Sequence, residues 1–361
     1  MKKEKYPVKY IQLTQNKKNK SISLTQLHPF NFGFALLKSI LAFDVIISHC
    51  YNTNSSRNNI IIFITKRRKV HVPSFFMLSF YFNYNTLISS NTKKKIDRLI
   101  RLLIPFVLWP IIVFVFCNLI STYRQFPKLT SFDVLIYQLL TGQGQELFHF
   151  WYLFDLIYTT LLFMGIIKLF RKKYLFIINL LLIFSYYLQY SEYNKKIIPY
   201  FRNIEGLKRE NELLPFAVVG FTLNALNVLK ILENYKFNSF IMCILIYNFT
   251  IANEIFRNIF GISYHGIKLN VLAVCIVILF SLFPSNKIKN KKLINILKLI
   301  TNYSGGIFYL HQLVQFFFKP YYYNIRNGTF TGIIQIYFIS YIISVVGANI
   351  FYKTKLKFLF S

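Results

Sequence analysis

Acidic residues are scarce in this chain: 12 Asp and Glu stand against 43 Lys and Arg in 361 residues, for a formal net charge of +31. Such an excess invites a nucleic-acid reading, but the cations lie in short segments between apolar runs, and no soluble domain is available to present a basic face. They read instead as the flanks of membrane spans, with attraction to anionic lipid headgroups or to an anionic substrate as the remaining option. Only four cysteines occur, Cys50, Cys117, Cys243 and Cys275, all inside or at the end of apolar runs. Without paired spacing they make neither a zinc site nor a disulfide framework and are read as small apolar fillers. No Gly-rich phosphate loop, internal repeat or long linker is found. Glu146 and His149, three apart, fall far short of a metal site, and no metal is assigned. A secretory signal is missing too, since Met1 to Pro29 is polar and carries Lys2, Lys3, Lys5, Lys9, Lys17, Lys18 and Lys20.

What the chain has in abundance is apolar and aromatic side chains, 55% and 19% of its residues. They fall into repeated runs close to the roughly 20 residues that a bilayer crossing demands. The expected fold is all-α, a polytopic transmembrane helix bundle of about ten spans. The spans are read at 31–52, 70–90, 102–121, 149–167, 174–190, 212–229, 237–252, 268–284, 299–318 and 329–351. A retained first span with a Lys-rich leading flank places both termini in the cytoplasm. Residues 1–30 form a basic cytoplasmic segment, 31–351 the membrane domain and 352–361 a short cytoplasmic tail, so any chemistry is expected of the membrane domain itself.

Two ionisable residues, Lys38 and His49, sit inside the first apolar run, and such groups at membrane depth are functional suspects. Eleven residues at about 100° each make three turns plus roughly 20°, so both side chains share one helix face about 16 Å apart. Further along, His71-Val-Pro73-Ser-Phe75-Phe76-Met-Leu-Ser79 opens a second helix with proline in its first turn. Lys93-Lys94-Lys95-Ile-Asp97-Arg98-Leu-Ile-Arg101 then leads into the Pro105 and Trp109 span, and Lys94, Arg98 and Arg101 follow helical spacing as one cationic stripe. His149-Phe-Trp151-Tyr152-Leu153 opens the fourth span and Tyr303-Ser304-Gly305-Gly306-Ile-Phe-Tyr309-Leu-His311 the ninth.

In this order the elements resemble the acyltransferase-3 family of integral membrane acyltransferases. That family has ten-span domains and typically shows Arg, ten residues, then His in the first span. A Pro-x-Phe-Phe-x-x-Ser-Gly segment, a basic stretch before a proline-bearing span, a later Trp-Tyr/Phe-Leu and an Ile-Tyr-Leu-x-His follow. The resemblance runs over about 31–350, with Lys38 in place of the family arginine and Phe80 in place of the glycine after Ser79. Lysine keeps the charge but loses the planar bidentate fork. The resemblance implies transfer of an acyl group, commonly acetyl, from cytoplasmic acyl-coenzyme A. The acceptor is a hydroxyl of a surface polysaccharide or its lipid-linked precursor, in the cell membrane of a bacterium. Acyl-coenzyme A (acetyl-coenzyme A) is then a co-substrate, with no permanently bound cofactor.

A hydroxyl attacks a thioester poorly unless its proton is removed, and neutral imidazole suits that task near neutral pH, which makes His49 the expected general base. Lys94, Arg98 and Arg101 are expected to hold the coenzyme A phosphates, with Lys38 deeper on the path. Ser79, Trp151 and His311 are candidates for substrate contact or oxyanion stabilisation. Plainer readings stand beside these: snorkelling for Lys38, an interfacial position for His49, positive-inside flanking for Arg98 and Arg101, and packing for Tyr309, His311, Trp109 and Trp151. Asp44 and Asp155 lie within spans and need partners: Lys38 or a cation on a neighbouring span for Asp44, which stands about 140° from His49 around the helix, and Lys38 or His49 for Asp155. Glu254 and Arg257 read as a local ion pair. The competing function is a transporter of a glycan or lipid-linked intermediate, which would show matching halves with broken helices.

Overall fold

The computed structural model describes residues 31–50, 70–124, 132–141, 151–193, 205–260, 265–283, 290–318 and 329–360. Among the described residues the chain is helical, without strands. The helices are α1 (Phe32–Cys50), α2 (His71–Ile88), α3 (Thr92–Arg124), α4 (Phe132–Thr141), α5 (Trp151–Phe170), α6 (Tyr174–Tyr193), α7 (Glu205–Ala225), α8 (Val228–Asn234), α9 (Lys236–Phe260), α10 (His265–Ser281), α11 (Lys291–Phe318) and α12 (Phe330–Ile350). A short 3-10 helix, Lys355–Leu359, follows α12.

The sequence starts several helices with a side chain that accepts from an orphan backbone N–H of the first turn. Asn31 Oδ1 accepts from Phe34 N at 3.0 Å before α1, and Asn290 Oδ1 accepts from Leu293 N at 3.1 Å before α11. Thr329 Oγ1 takes Gly332 N at 3.2 Å at the start of α12. Each such cap stabilises its helix by about 1 kcal/mol.

Each of the ten segments read from the apolar runs falls on a helix, but one of them is broken. The run expected over 212–229 ends as α7 at Ala225, and Asn227 adopts φ 51°, from which α8 departs at 59°. Asparagine tolerates the left-handed region better than other residues that carry a Cβ, which is why the chain turns there without glycine. A three-residue 3-10 turn, Arg171–Lys173, interrupts the longest apolar stretch, Trp151–Leu188. Thr92–Val115, Trp151–Leu188 and Phe330–Ile350 are long and apolar enough to cross a membrane, and the bent α7 and α8 pair adds a fourth if it is one span.

The helices are apolar on two sides, which identifies the medium outside them. In α3, Leu102, Phe106, Trp109 and Val113 are buried, while Leu103, Val107, Ile111 and Val115 form an exposed stripe one to two residues out of step. In α12, Phe338, Ile342, Val346 and Ile350 repeat the exposed pattern at intervals of four. A helix that is apolar inside and outside suits a hydrocarbon solvent.

Inside the bundle, α2 packs along α7, α1 along α11, and α11 along α12. Interhelical polar contacts fix the register, as expected where apolar packing alone does not distinguish protein from lipid. Asn224 Nδ2 donates to the Tyr81 carbonyl at 2.7 Å, Asn179 Nδ2 to Thr222 Oγ1 at 3.2 Å, and the Tyr84 and Tyr174 hydroxyls lie 3.1 Å apart. The segment read as a short cytoplasmic tail is docked on the bundle: the Trp109 indole donates to the Leu359 carbonyl at 3.1 Å, and the Phe360 ring lies against Trp109 and Phe351. Gly306 and Gly347 make room for it, since a Cβ on either would run into Phe360.

Candidate active site

One end of α1 is built around cations. Lys38 Nζ lies over the Phe82 ring at 4.6 Å, and Phe82 is itself braced edge-on by Phe34 at 5.1 Å. From there Lys38 is within electrostatic reach of Arg98, and Arg98 of Arg101, Tyr152 and Tyr309. Arg98 continues the stripe of Leu102, Phe106, Trp109 and Val113 toward the helix start and so turns inward, where its Nε is buried without a hydrogen-bond partner among the described residues. Tyr152 and Tyr309 are buried beside it, and the Ser79 and Tyr152 hydroxyls are hydrogen-bonded to each other.

The other end of α1 is built around imidazoles. The His49 ring meets the His311 ring with centroids 5.3 Å apart and planes tilted by 41°. His311 is fully buried, and its Nδ1 lies 2.6 Å from the Phe308 carbonyl one turn earlier on α11. A carbonyl only accepts, so Nδ1 carries the proton and the lone pair of the neutral ring lies on Nε2. His71, at the first position of α2, is within electrostatic reach of His49.

The two ends are joined through α11. Phe308 packs on Tyr152 at 5.3 Å and on His311 at 6.1 Å, and Tyr309 stands toward Arg98 one position along. A track thus runs from Lys38 through Arg98 and the two tyrosines, across the apolar Phe308 ring, to His311 and His49. Cations and phenols at one end can hold an anion or polarise a carbonyl, and imidazoles at the other can move a proton.

The expected residues divide. Lys38, Arg98, Ser79, His49 and His311 are brought onto the track, whereas the cationic stripe is split. Arg98 is drawn inside, Arg101 is exposed with its guanidinium over the Phe358 ring at 5.2 Å, and Lys94 is exposed in the first turn of α3. Trp151 is half-buried, edge-on to Tyr152 at 6.3 Å. Trp109, read as an interface or packing aromatic, is a buried hydrogen-bond donor to the docked tail. Asp155 is fully buried on α5, three residues beyond Tyr152, and Asp44 is half-buried on α1. Glu146 and His149 lie outside the described residues, and so do the side chains of Glu254 and Arg257.

Two further findings revise the sequence reading. Cys243 on α9 and Cys275 on α10, far apart in the chain and read as separate fillers, are hydrogen-bonded thiol to thiol across the helix interface. Tyr309, read as a packing residue, stands on the track, and so does Tyr152, which appeared in the sequence only as part of the Trp151-Tyr152-Leu153 run. Spacing gave no signal for Tyr309, which lies two residues, about 200° around α11, from His311.

Comparison with curated proteins and with solved structures finds no match. The acyltransferase domain model of the acyltransferase-3 family matches residues 31–352, a stretch that includes every residue of the track and decides between enzyme and transporter. With nearly the whole membrane domain inside that match, the chain belongs to the acyltransferase-3 family and is a membrane acyltransferase.

Proposed function

We propose that this protein moves an acyl group, acetyl in the simplest case, from cytoplasmic acyl-coenzyme A to a hydroxyl of a cell-surface polysaccharide or its lipid-linked precursor. The proposed setting is a plasma membrane spanned about ten times, with both termini inside. The observation that carries the reading is that the same bundle core holds Lys38 and Arg98 at one end and the His49 and His311 pair at the other, with the Phe308 ring between them.

In the proposed step His49 takes the proton of the acceptor hydroxyl as its oxygen attacks the thioester carbonyl. The carbon–oxygen bond forms, the carbon–sulfur bond breaks, and the coenzyme A thiolate leaves with the proton returned from His49. Neutral imidazole serves because its free ring nitrogen takes the hydroxyl proton and gives it back to the leaving sulfur. His311 supports the base: its own ring is held by the Phe308 carbonyl and presents a fixed surface to the His49 ring. Tyr152 and Ser79 supply hydroxyl donors near the buried guanidinium, where the carbonyl oxygen gains charge in the transition state. Lys38 and Arg98 receive the anionic donor, with Arg101 and Lys94 nearer the surface.

The test compares membranes carrying the parent with membranes carrying His49→Ala, each incubated with radiolabelled acetyl-coenzyme A and purified surface glycan. Label enters the glycan as an alkali-labile ester with the parent and falls by roughly 10²- to 10⁴-fold with the variant, at equal protein insertion. Equal labelling by the two removes His49 as the base. Absence of label with the parent removes this donor and acceptor pair.

A further inference from the structure

The docked carboxyl-terminal segment sits against the cationic end of the track and brings charge of its own. The 3-10 helix Lys355–Leu359 begins at Thr354, whose Oγ1 accepts from Leu356 N at 3.2 Å. With three residues per turn, Leu356 and Leu359 share one side, and Lys355 and Phe358 share another. Leu359 is buried, and its carbonyl is held by Trp109 of α3. That anchorage leaves the half-buried Phe358 ring beside the entrance of α3. Two cations use the ring, with the Arg101 guanidinium 5.2 Å from its centroid and Lys357 Nζ 5.5 Å from it. One is from α3 and the other from the tail, so only the docked state creates the pair.

This pair continues a row. Arg101 is in reach of Arg98, and Arg98 of Lys38, so four positive side chains lead from the surface into the bundle. Arg98 Nε is buried with no hydrogen-bond partner among the described residues. Like charges held this close repel unless an anion joins them, and an aromatic face offsets only part of that cost, on the order of 0.5–1 kcal/mol at an exposed position. A cluster of this kind suits a ligand carrying phosphate oxyanions.

We propose that Phe358, Lys357 and Arg101 form a phosphate-binding mouth in which the carboxyl-terminal 3-10 helix is a built part of the donor site. Resting on the acyl-coenzyme A reading above, its ligand is the phosphate portion of coenzyme A, while the thioester arm continues past Arg98 toward the histidines. A phospholipid headgroup offers the same oxyanion chemistry, and the test separates the two.

The purified full-length protein in neutral phosphatidylcholine nanodiscs is titrated with coenzyme A and, separately, with pantetheine, which lacks the phosphates. Parent, Lys357→Gln and Phe358→Leu are compared, with the exposed Lys230→Gln of α8 as a control. Both tail variants weaken coenzyme A binding by about five- to tenfold and leave pantetheine unchanged, while the control changes neither. A merely structural role for the tail would move both probes together, and that result overturns the proposal. In a second arm the nanodiscs include phosphatidic acid. Unchanged coenzyme A affinity with lowered retention of phosphatidic acid keeps the oxyanion site and assigns it to lipid. Unchanged values in both arms overturn the site. A parent that binds no coenzyme A removes the acyl-coenzyme A reading alone, because the lipid arm still reports on the mouth.

Discussion

At the Lys38 end of the track the polar groups are cations on long, flexible side chains, and at the His49 end they are imidazole rings on short stems close to the backbone. The first kind loses more rotamer freedom on being fixed, about 1.5–2 kcal/mol for a lysine or arginine. The structure compensates with aromatic surfaces: Phe82 under Lys38 and Phe358 beside Arg101 and Lys357. The imidazoles need less bracing, and a ring contact and one backbone carbonyl suffice. Reach and charge are what a polyanionic donor requires, whereas a proton transfer requires position. Substitutions at the two ends should therefore separate in kinetics, those at the cations changing KM and those at the histidines changing kcat.

His311 gives the sharpest test after His49 itself. His311→Asn keeps an amide that can donate to the Phe308 carbonyl but removes the ring against His49. Turnover should fall on the order of 10²-fold with KM for acyl-coenzyme A unchanged, measured by initial rates of label transfer. If His311 only packs the core, the asparagine restores the carbonyl contact and activity follows protein abundance instead.

Lys38 comes next in size. Lys38→Gln removes the charge and should raise KM for acyl-coenzyme A by about tenfold, while Lys38→Arg should preserve or improve donor use. Its position over Phe82 suits a planar guanidinium at least as well as an ammonium, because arginine stacks on aromatic faces. Equal KM in parent and both variants would return Lys38 to a snorkelling role and break the contrast between the two ends.

The sequence made some of this legible and hid the rest for physical reasons. Apolar runs such as 329–351 are helices by length alone, and α12 matches that stretch to within a residue at each end. Lys38 and His49 were placed on one face by rotation per residue, and each faces a polar neighbour inside the bundle. Arg98 was legible in part, since its spacing to Leu102, Phe106 and Trp109 marks it as inward, but the positive flank of the same helix masks that signal. The break at Asn227 lies in an ordinary Leu-Asn pair without Gly or Pro to punctuate it. The meeting of Cys243 with Cys275, and of His49 with His311, depends on which helices become neighbours, and periodicity along one chain carries no such information. The docked tail spans fewer than two helical turns and alternates Lys with apolar residues, so its anchor is visible only through Gly306, Gly347 and Trp109.

The smallest expected effect lies at the junction of the two ends. Tyr152 is buried between Phe76 and Phe308, is hydrogen-bonded with Ser79 and stands in reach of Arg98. Tyr152→Phe keeps the ring and its packing and removes one hydroxyl, leaving Ser79 to find another partner. A neutral hydrogen bond contributes about 1 kcal/mol, which corresponds to roughly fivefold in rate. If the hydroxyl acts on the carbonyl oxygen in the transition state, the loss appears in kcat with KM preserved. If it serves instead to orient Arg98 toward the donor, the loss appears in KM. The variant thus decides whether the centre of the track belongs functionally to the cations or to the histidines, and a double variant with Lys38→Gln makes the assignment quantitative. Additive effects place Tyr152 with the imidazoles, whereas a shared, non-additive loss places it with the cations.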